Sequence, residues 1–157
     1  MTSVKFDDIF ARFLAIVDAY DVASFLEDDA RVMMTEWLRT VRSYPKIRKL
    51  FSTITIDNEI QTVTYELKHS FDIDDIETDN DYITTLFSQG IAWVWVQKKY
   101  RSVLNTNQVF GGKEERFYSQ SNHTASLENM HKCAERDLYD LIQQHVCVNN
   151  SYLTGNE

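Results

Sequence analysis

The side chains best suited to chemistry are four histidines (His69, His123, His131 and His145), two cysteines (Cys133 and Cys147) and an acidic run over residues 72–81. A metal centre would need three or four such ligands at convergent spacing. His131 and Cys133 lie two apart in a predicted helix, which sets them on different faces, and no third or fourth ligand stands at zinc spacing. The acidic run, DIDDIETDND, would suit calcium if it followed the EF-hand order, with oxygen donors at positions 1, 3 and 5, Gly at 6 and Glu at 12. Counted from Asp72, position 5 is Ile76; counted from Asp75, position 12 is Leu86. Both registers fail. The run reads instead as a solvated loop ending in a helix N-cap at Asp79 or Asn80. Gly111-Gly112-Lys113 invites a phosphate loop, but Glu114 stands where that motif needs Ser or Thr, and the first Gly is misplaced. Tyr139 and His145 have no nucleophile, base and orienter arranged with them. No dinucleotide fingerprint, HExxH or nucleophile elbow occurs. The expectation is therefore no catalysis and no metal, nucleotide or other cofactor, with each histidine in solvent or at the edge of the core.

The elements that would position these side chains are mostly helical. Phe6, Ile9, Phe10, Phe13, Leu14 and Val17 form one apolar stripe over residues 5–18, with Asp7 and Asp8 in the first turn, where the macrodipole favours them. Ser24 and Glu27 have capping-box spacing before a second helix at about 27–43, whose inner face is Ala30, Met33, Met34, Trp37, Leu38 and Val41. Pro45 disfavours helical geometry at Tyr44 and ends it. From Ile54 the period changes to β-branched alternation around Asp57-Asn58-Glu59, which predicts a β-hairpin or extended arm at about 53–68. A lone hairpin is marginal in water, so it must rest on helices or pair with another chain. A third helix at about 80–104 is apolar all round in its middle, IAWVWV, as a central helix or an interface would be. Residues 104–123 read as a polar, Gly-containing linker, and a closing helix follows at about 121–146 with Leu127, Met130, Ala134, Leu138, Leu141 and Ile142 at helical spacing.

Composition agrees with that reading. A chain of 157 residues is one domain's worth, here 1–157, with a flexible or docking tail at 147–157. Four Gly and one Pro leave few breaks, so the expected fold class is mainly α, a bundle of about four helices with the hairpin or arm. Twenty-four acidic against sixteen basic residues give a net charge of -8, which leaves no basic surplus for phosphate neutralisation. No apolar run reaches the roughly 18 residues needed to span a bilayer, and the N-terminus lacks a signal-peptide layout. Cys133 and Cys147, fourteen apart on one helix, would lie about 21 Å apart and cannot bridge. Free thiols fit a reducing, intracellular site of synthesis, in which the sequons at Asn122 and Asn149 are chance matches.

Two stretches carry a family resemblance. SQGIAWVWVQKKYRSVLNTNQVFGGKEERFYSQSNH and TASLENMHKCAERDLYDLI, residues 88–142, resemble the C-terminal half of the head–tail connector (adaptor) proteins of tailed bacteriophages. Such relatives place a linker of an aromatic, a Gly or Asp pair, mixed charges and then F-(Y/F)-S-Q-A-N-H-L between a tryptophan-bearing helix and a long closing helix. Residues 110–123 follow this pattern, with Ser121 where Ala is common and Thr124 where Leu is common. The resemblance spans residues 88–142 and leaves region 45–78 uncovered.

The resemblance implies a structural virion protein with no catalytic site, made in the host cytoplasm and placed in the neck. It would form a homo-oligomeric ring, usually a dodecamer, under the portal protein, extending the DNA channel and presenting a surface to stopper or tail proteins. DNA would be met only in passage, and no membrane would be involved. The exposed aromatic character of the linker points to inter-subunit contact through Val109, Phe110, Phe117 and Tyr118. The family's habit of docking the portal through the C-terminal helix and tail points to Val146, Val148, Tyr152 and Leu153. Two alternatives are a stopper or tail-completion protein of the same neck, and a helical regulatory or scaffolding protein that binds one protein partner.

Overall fold

The computed structural model describes residues 2–17, 27–71, 76–109 and 114–148, with the backbone alone for Glu27, 103–109, 114–124 and 146–148. Strand β1 (Thr2–Lys5) leads directly into α1 (Phe6–Val17), and α2 (Glu27–Ser43) is followed by the single turn α3 (Pro45–Arg48). Strands β2 (Phe51–Asp57) and β3 (Thr62–Leu67) precede two long helices, α4 (Ile76–Val109) and α5 (Glu114–Val148). The fold is mainly helical with a small antiparallel sheet, as the composition and periodicity predict.

The predicted helices at 5–18 and 27–43 fall on α1 and α2. Ser24, the expected capping residue of α2, lies outside the described residues. Pro45 does end α2, but it also opens α3, because a Pro at the first helical position loses no hydrogen bond.

The hairpin is present and is not an isolated arm. β3 is the middle strand of a sheet ordered β1-β3-β2, with Val4 opposite Val63 and Ile56 opposite Val63 on the other side. Four residues of β1 give no alternation to read, so only the pairing reveals that strand. The inward positions Val4, Ile54, Val63 and Tyr65 join the core, which answers the marginal stability of a two-stranded hairpin.

Both long helices exceed their expected bounds. α4 begins at Ile76 rather than near residue 80, because Asp79 and Asn80 do not cap it. The Asp79 carboxylate accepts the Phe71 N–H (2.9 Å) and the Ser70 hydroxyl (2.6 Å), and Asn80 Oδ1 accepts the Tyr65 hydroxyl (2.9 Å). α5 begins at Glu114, so the expected linker over 104–123 is largely helix, with residues 110–113 between the two. Glu114 and Glu115 occupy the first turn of α5, where the helix dipole favours acids, and helix-forming Arg and Gln follow.

The middle of α4 is the axis of the fold. Ile91, Ala92, Val94, Trp95 and Val96 are all buried, and α1, α2, α5 and β1 pack around the helix. Phe13 links Trp37 of α2 (5.9 Å) to Trp95 of α4 (6.5 Å) edge to face. At Gly90 the Val41 side chain of α2 comes so near that an added Cβ would lie 2.5 Å from its Cγ1 and 2.9 Å from its Cγ2.

Gly90→Ala should therefore destabilise the protein by about 1–3 kcal/mol through overpacking, despite the better helix propensity of Ala. Chemical denaturation should show recovery of part of that loss in Gly90→Ala/Val41→Ala relative to the sum of the single variants. Strict additivity would show that the two positions do not meet.

Candidate interaction surfaces

α4 and α5 run antiparallel: Tyr82 meets Leu141 and His145 near one end, and Trp93 and Tyr100 meet His131 further along. At 1.5 Å per residue, helices of 34 and 35 residues are each about 50 Å long. Val96 is the last core residue of α4 among the described side chains, and the helix runs on about 20 Å to Val109. The hairpin of two helices is thus rooted in the core at one end and carries the Gly111-Gly112 segment at the other.

The root is held by polar contacts on the loop before α4. His145 is 3% exposed, with its ring stacked on Tyr82 (5.5 Å) and edge-on to Phe71 (4.9 Å). Its Nε2 donates to the His69 carbonyl at 2.8 Å, and the Tyr82 hydroxyl donates to the Leu141 carbonyl at 3.0 Å. The expected core-edge position is thus corrected for His145, which lies inside. His69 is exposed, and His131 is half-buried between the rings of Trp93 (6.1 Å) and Tyr100 (6.2 Å). His123 lies outside the described side chains. Cys133 is a half-buried free thiol on the same continuous helix as Cys147.

Two surface depressions lie among the described residues' elements. A polar cleft of about 940 Å³ lies between β1, α1 and the start of α4, lined by Lys5, Asp8, Arg12, Asn80 and Asp81. Arg12 closes one side of it, with Nη2 2.8 Å from Asp81 Oδ1 and Nη1 bonded to the Thr85 hydroxyl. This is an ion pair at the surface, with Arg12 and Asp81 both partly exposed. The second depression, about 370 Å³, is apolar and lies between α3, α4 and α5. Tyr44, Ile47, Trp93, Leu138, Tyr139 and Ile142 form its walls, with Lys46 and Glu135 at the rim. The Lys46 ammonium sits 4.5 Å above the Tyr139 ring. Among the described residues no three His, Cys, Asp or Glu side chains converge to hold a metal, and no helix is long and apolar enough to cross a membrane.

Of the residues expected at contacts, Val109 is the last residue of α4, Phe117 and Tyr118 belong to the first turns of α5, and Val146 and Val148 to its last turn. Their side chains, and Phe110, Tyr152 and Leu153 entirely, lie outside the described residues. Sequence reasoning missed the apolar groove. Tyr44-Pro45 carried only a helix-stop signal, and Tyr139 lies beside the stripe of Leu138, Leu141 and Ile142 rather than on it. An aromatic next to an apolar stripe was the one available hint. Comparison of the chain with protein-family models, curated proteins and solved structures finds no match.

Burial holds the phenols of Tyr65 and Tyr82 protonated well above the ordinary range, and the Asp79 charge adds to this at Tyr65. Unfolded tyrosines ionise near pH 10. Because the folded values are raised, the stabilisation is complete below pH 10 and is lost as pH rises beyond it. Thermal melting should show Tm falling steeply above about pH 10, and less steeply in Tyr65→Phe/Tyr82→Phe. Equal slopes in both proteins would place the alkaline transition elsewhere.

Proposed function

We propose that this chain is a head–tail connector (adaptor) subunit of a tailed bacteriophage, one member of a ring seated under the portal. The observation that carries the reading is the place of the resembling segment. FGGKEERFYSQSNH, residues 110–123, follows a tryptophan-bearing helix that runs through the core, and from Glu114 onward it forms the start of a closing helix of nearly the same length. A helical hairpin rooted in a core and extended beyond it offers long side faces for neighbours around a ring. In this reading the side chains around the turn, Val109, Phe110, Phe117 and Tyr118, make contacts between subunits. Val146, Val148, Tyr152 and Leu153, at and beyond the other end of α5, meet the portal. A net charge of -8 suits a channel wall, since like charge keeps passing DNA from adhering.

Ring formation is tested by mass. Light scattering or native mass spectrometry, on the chain alone and mixed with portal rings, should find a discrete large oligomer; a monomer or dimer under both conditions favours the regulatory alternative. Phe110→Ser/Phe117→Ser should abolish assembly while far-UV helicity is retained, and normal assembly of that variant would remove the turn from the interface.

Portal docking is tested by truncation after Cys147. The shortened chain should stay folded and lose portal binding in pull-down, because apolar side chains that order in a groove dominate such contacts. Unchanged affinity would move the docking surface onto α5 itself.

A further inference from the structure

The three-stranded sheet ends in two edges whose backbone groups differ in phase. The Phe6 N–H donates to the Gln61 carbonyl (2.9 Å), so the bonded pairs along β1 and β3 are Phe6 with Gln61, Val4 with Val63 and Thr2 with Tyr65. Ser3 and Lys5 therefore turn their N–H groups away from β3. On its other side β3 bonds through Thr62 and Thr64, opposite Asp57 and Thr55, which leaves the N–H and C=O groups of Ile54 and Ile56 facing outward. Among the described residues no backbone group meets these outer groups. Edge strands are commonly guarded by Pro, Lys or a bulge. β2 holds no Pro or Lys, its exposed side chains Ser52, Thr53 and Thr55 are small and uncharged, and its one irregularity lies before Ile54.

Beside β1 there is open space. The polar cleft of about 940 Å³ is lined by Ser3, Val4 and Lys5 together with α1 and α4, and by no described residue of β3, so it lies on the side of β1 away from the sheet. A strand fills about 160 Å³ per residue, the product of its rise, the spacing between strands and the thickness of a sheet. The cleft therefore has room for about six residues of strand. β2 has seven.

We propose that β2 of one copy of this chain pairs with β1 of the next in a parallel ladder, so that the sheet runs on from subunit to subunit. The inference rests on the ring reading and names one interface within it. A ring contact joins two different patches, so β2 does not meet β2, a pairing that closes at two subunits. The other edge of the sheet is β1. Both strands run antiparallel to β3 and hence parallel to each other, and neighbours in a many-membered ring differ by a small rotation, so the new ladder is parallel. In such a ladder a residue with outward groups stands opposite one whose groups turn inward, and bonds to the two residues flanking it. Val4 is such a partner. Whichever of Ile54 and Ile56 stands opposite it donates its N–H to the Ser3 carbonyl and accepts the Lys5 N–H. The faces agree too: Val4 and Ile54 belong to the core and Ile56 packs against it, so no side chain changes face. Antiparallel pairing of the same two edges would set the isoleucines opposite exposed Ser3 and Lys5 and lose that match.

Hydrogen–deuterium exchange on the wild-type chain, as dilute subunits and as assembled rings, tests it without any substitution. Assembly should slow the Lys5 amide and those of Ile54 or Ile56 by about tenfold or more. Protection at 54–56 without protection at Lys5 would reveal a β2–β2 pair and overturn the proposal; protection at neither would overturn it and leave the ring reading standing. Two variants check the same contact by mass. Ile56→Pro removes an outward N–H from β2, and Ser3→Pro removes one from β1, without touching a bond to β3. Where the wild type assembles, light scattering should give each variant alone the mass of one subunit, with far-UV helicity retained. An equimolar mixture should give the mass of two and go no further, since one intact β1 edge meets one intact β2 edge. Folded variants that assemble as the wild type does would overturn the contact. A wild-type chain that stays monomeric, alone and on portal rings, would overturn both this contact and the ring reading.

Discussion

Residues Gly90–Val96 form about two turns of helix that are apolar on nearly every side, so no single neighbour can cover them. A helix of this kind must be surrounded, and α1, α2, α5 and β1 supply the surround. The closeness of that packing is set at Gly90, where the lack of a side chain lets Val41 of α2 approach the α4 backbone. Phe13, Trp37 and Trp95 fill the layer beside it with rings that meet edge to face. Even the buried polar group here is accommodated: the Ser88 hydroxyl lies between the Ile9 carbonyl (2.9 Å) and the Thr84 carbonyl (2.6 Å), which ties α1 to α4.

Once α4 is placed as the axis, the chain on either side of it is registered by a few polar side chains. Asp79 and Asn80 look outward from the first turns of α4 and hold the loop at Ser70–Phe71 and the strand residue Tyr65. His145 and Tyr82 then bind the end of α5 to the same loop. The sheet, the loop and the two long helices therefore meet at one polar and aromatic junction. From it the two helices extend past the core as a coupled antiparallel pair.

The two depressions differ in character. The polar cleft beside Arg12 is bridged by an ion pair, while the groove between α3, α4 and α5 is apolar and open with charge at its rim.

The sequence by itself determined the helical class and the spans of α1 and α2, and it narrowed 53–68 to a hairpin or arm and IAWVWV to a central helix or an interface, because each rests on local periodicity that a 3.6- or 2-residue repeat makes explicit. It also determined that no familiar catalytic or metal spacing is present. Only tertiary structure decided the rest. β1 is four residues long and exists because β3 offers an edge to pair with. Asp79 and Asn80 look like caps in one dimension, but partners at Phe71 and Tyr65 use their oxygens and let α4 start earlier. The polar stretch 104–123 carries no apolar stripe to announce a helix, yet most of it extends the two helices that flank it. The groove at Tyr44, Trp93 and Tyr139 joins residues about fifty apart at each step. Such a site has no sequence signature, because only the packing of α5 against α4 brings its walls together.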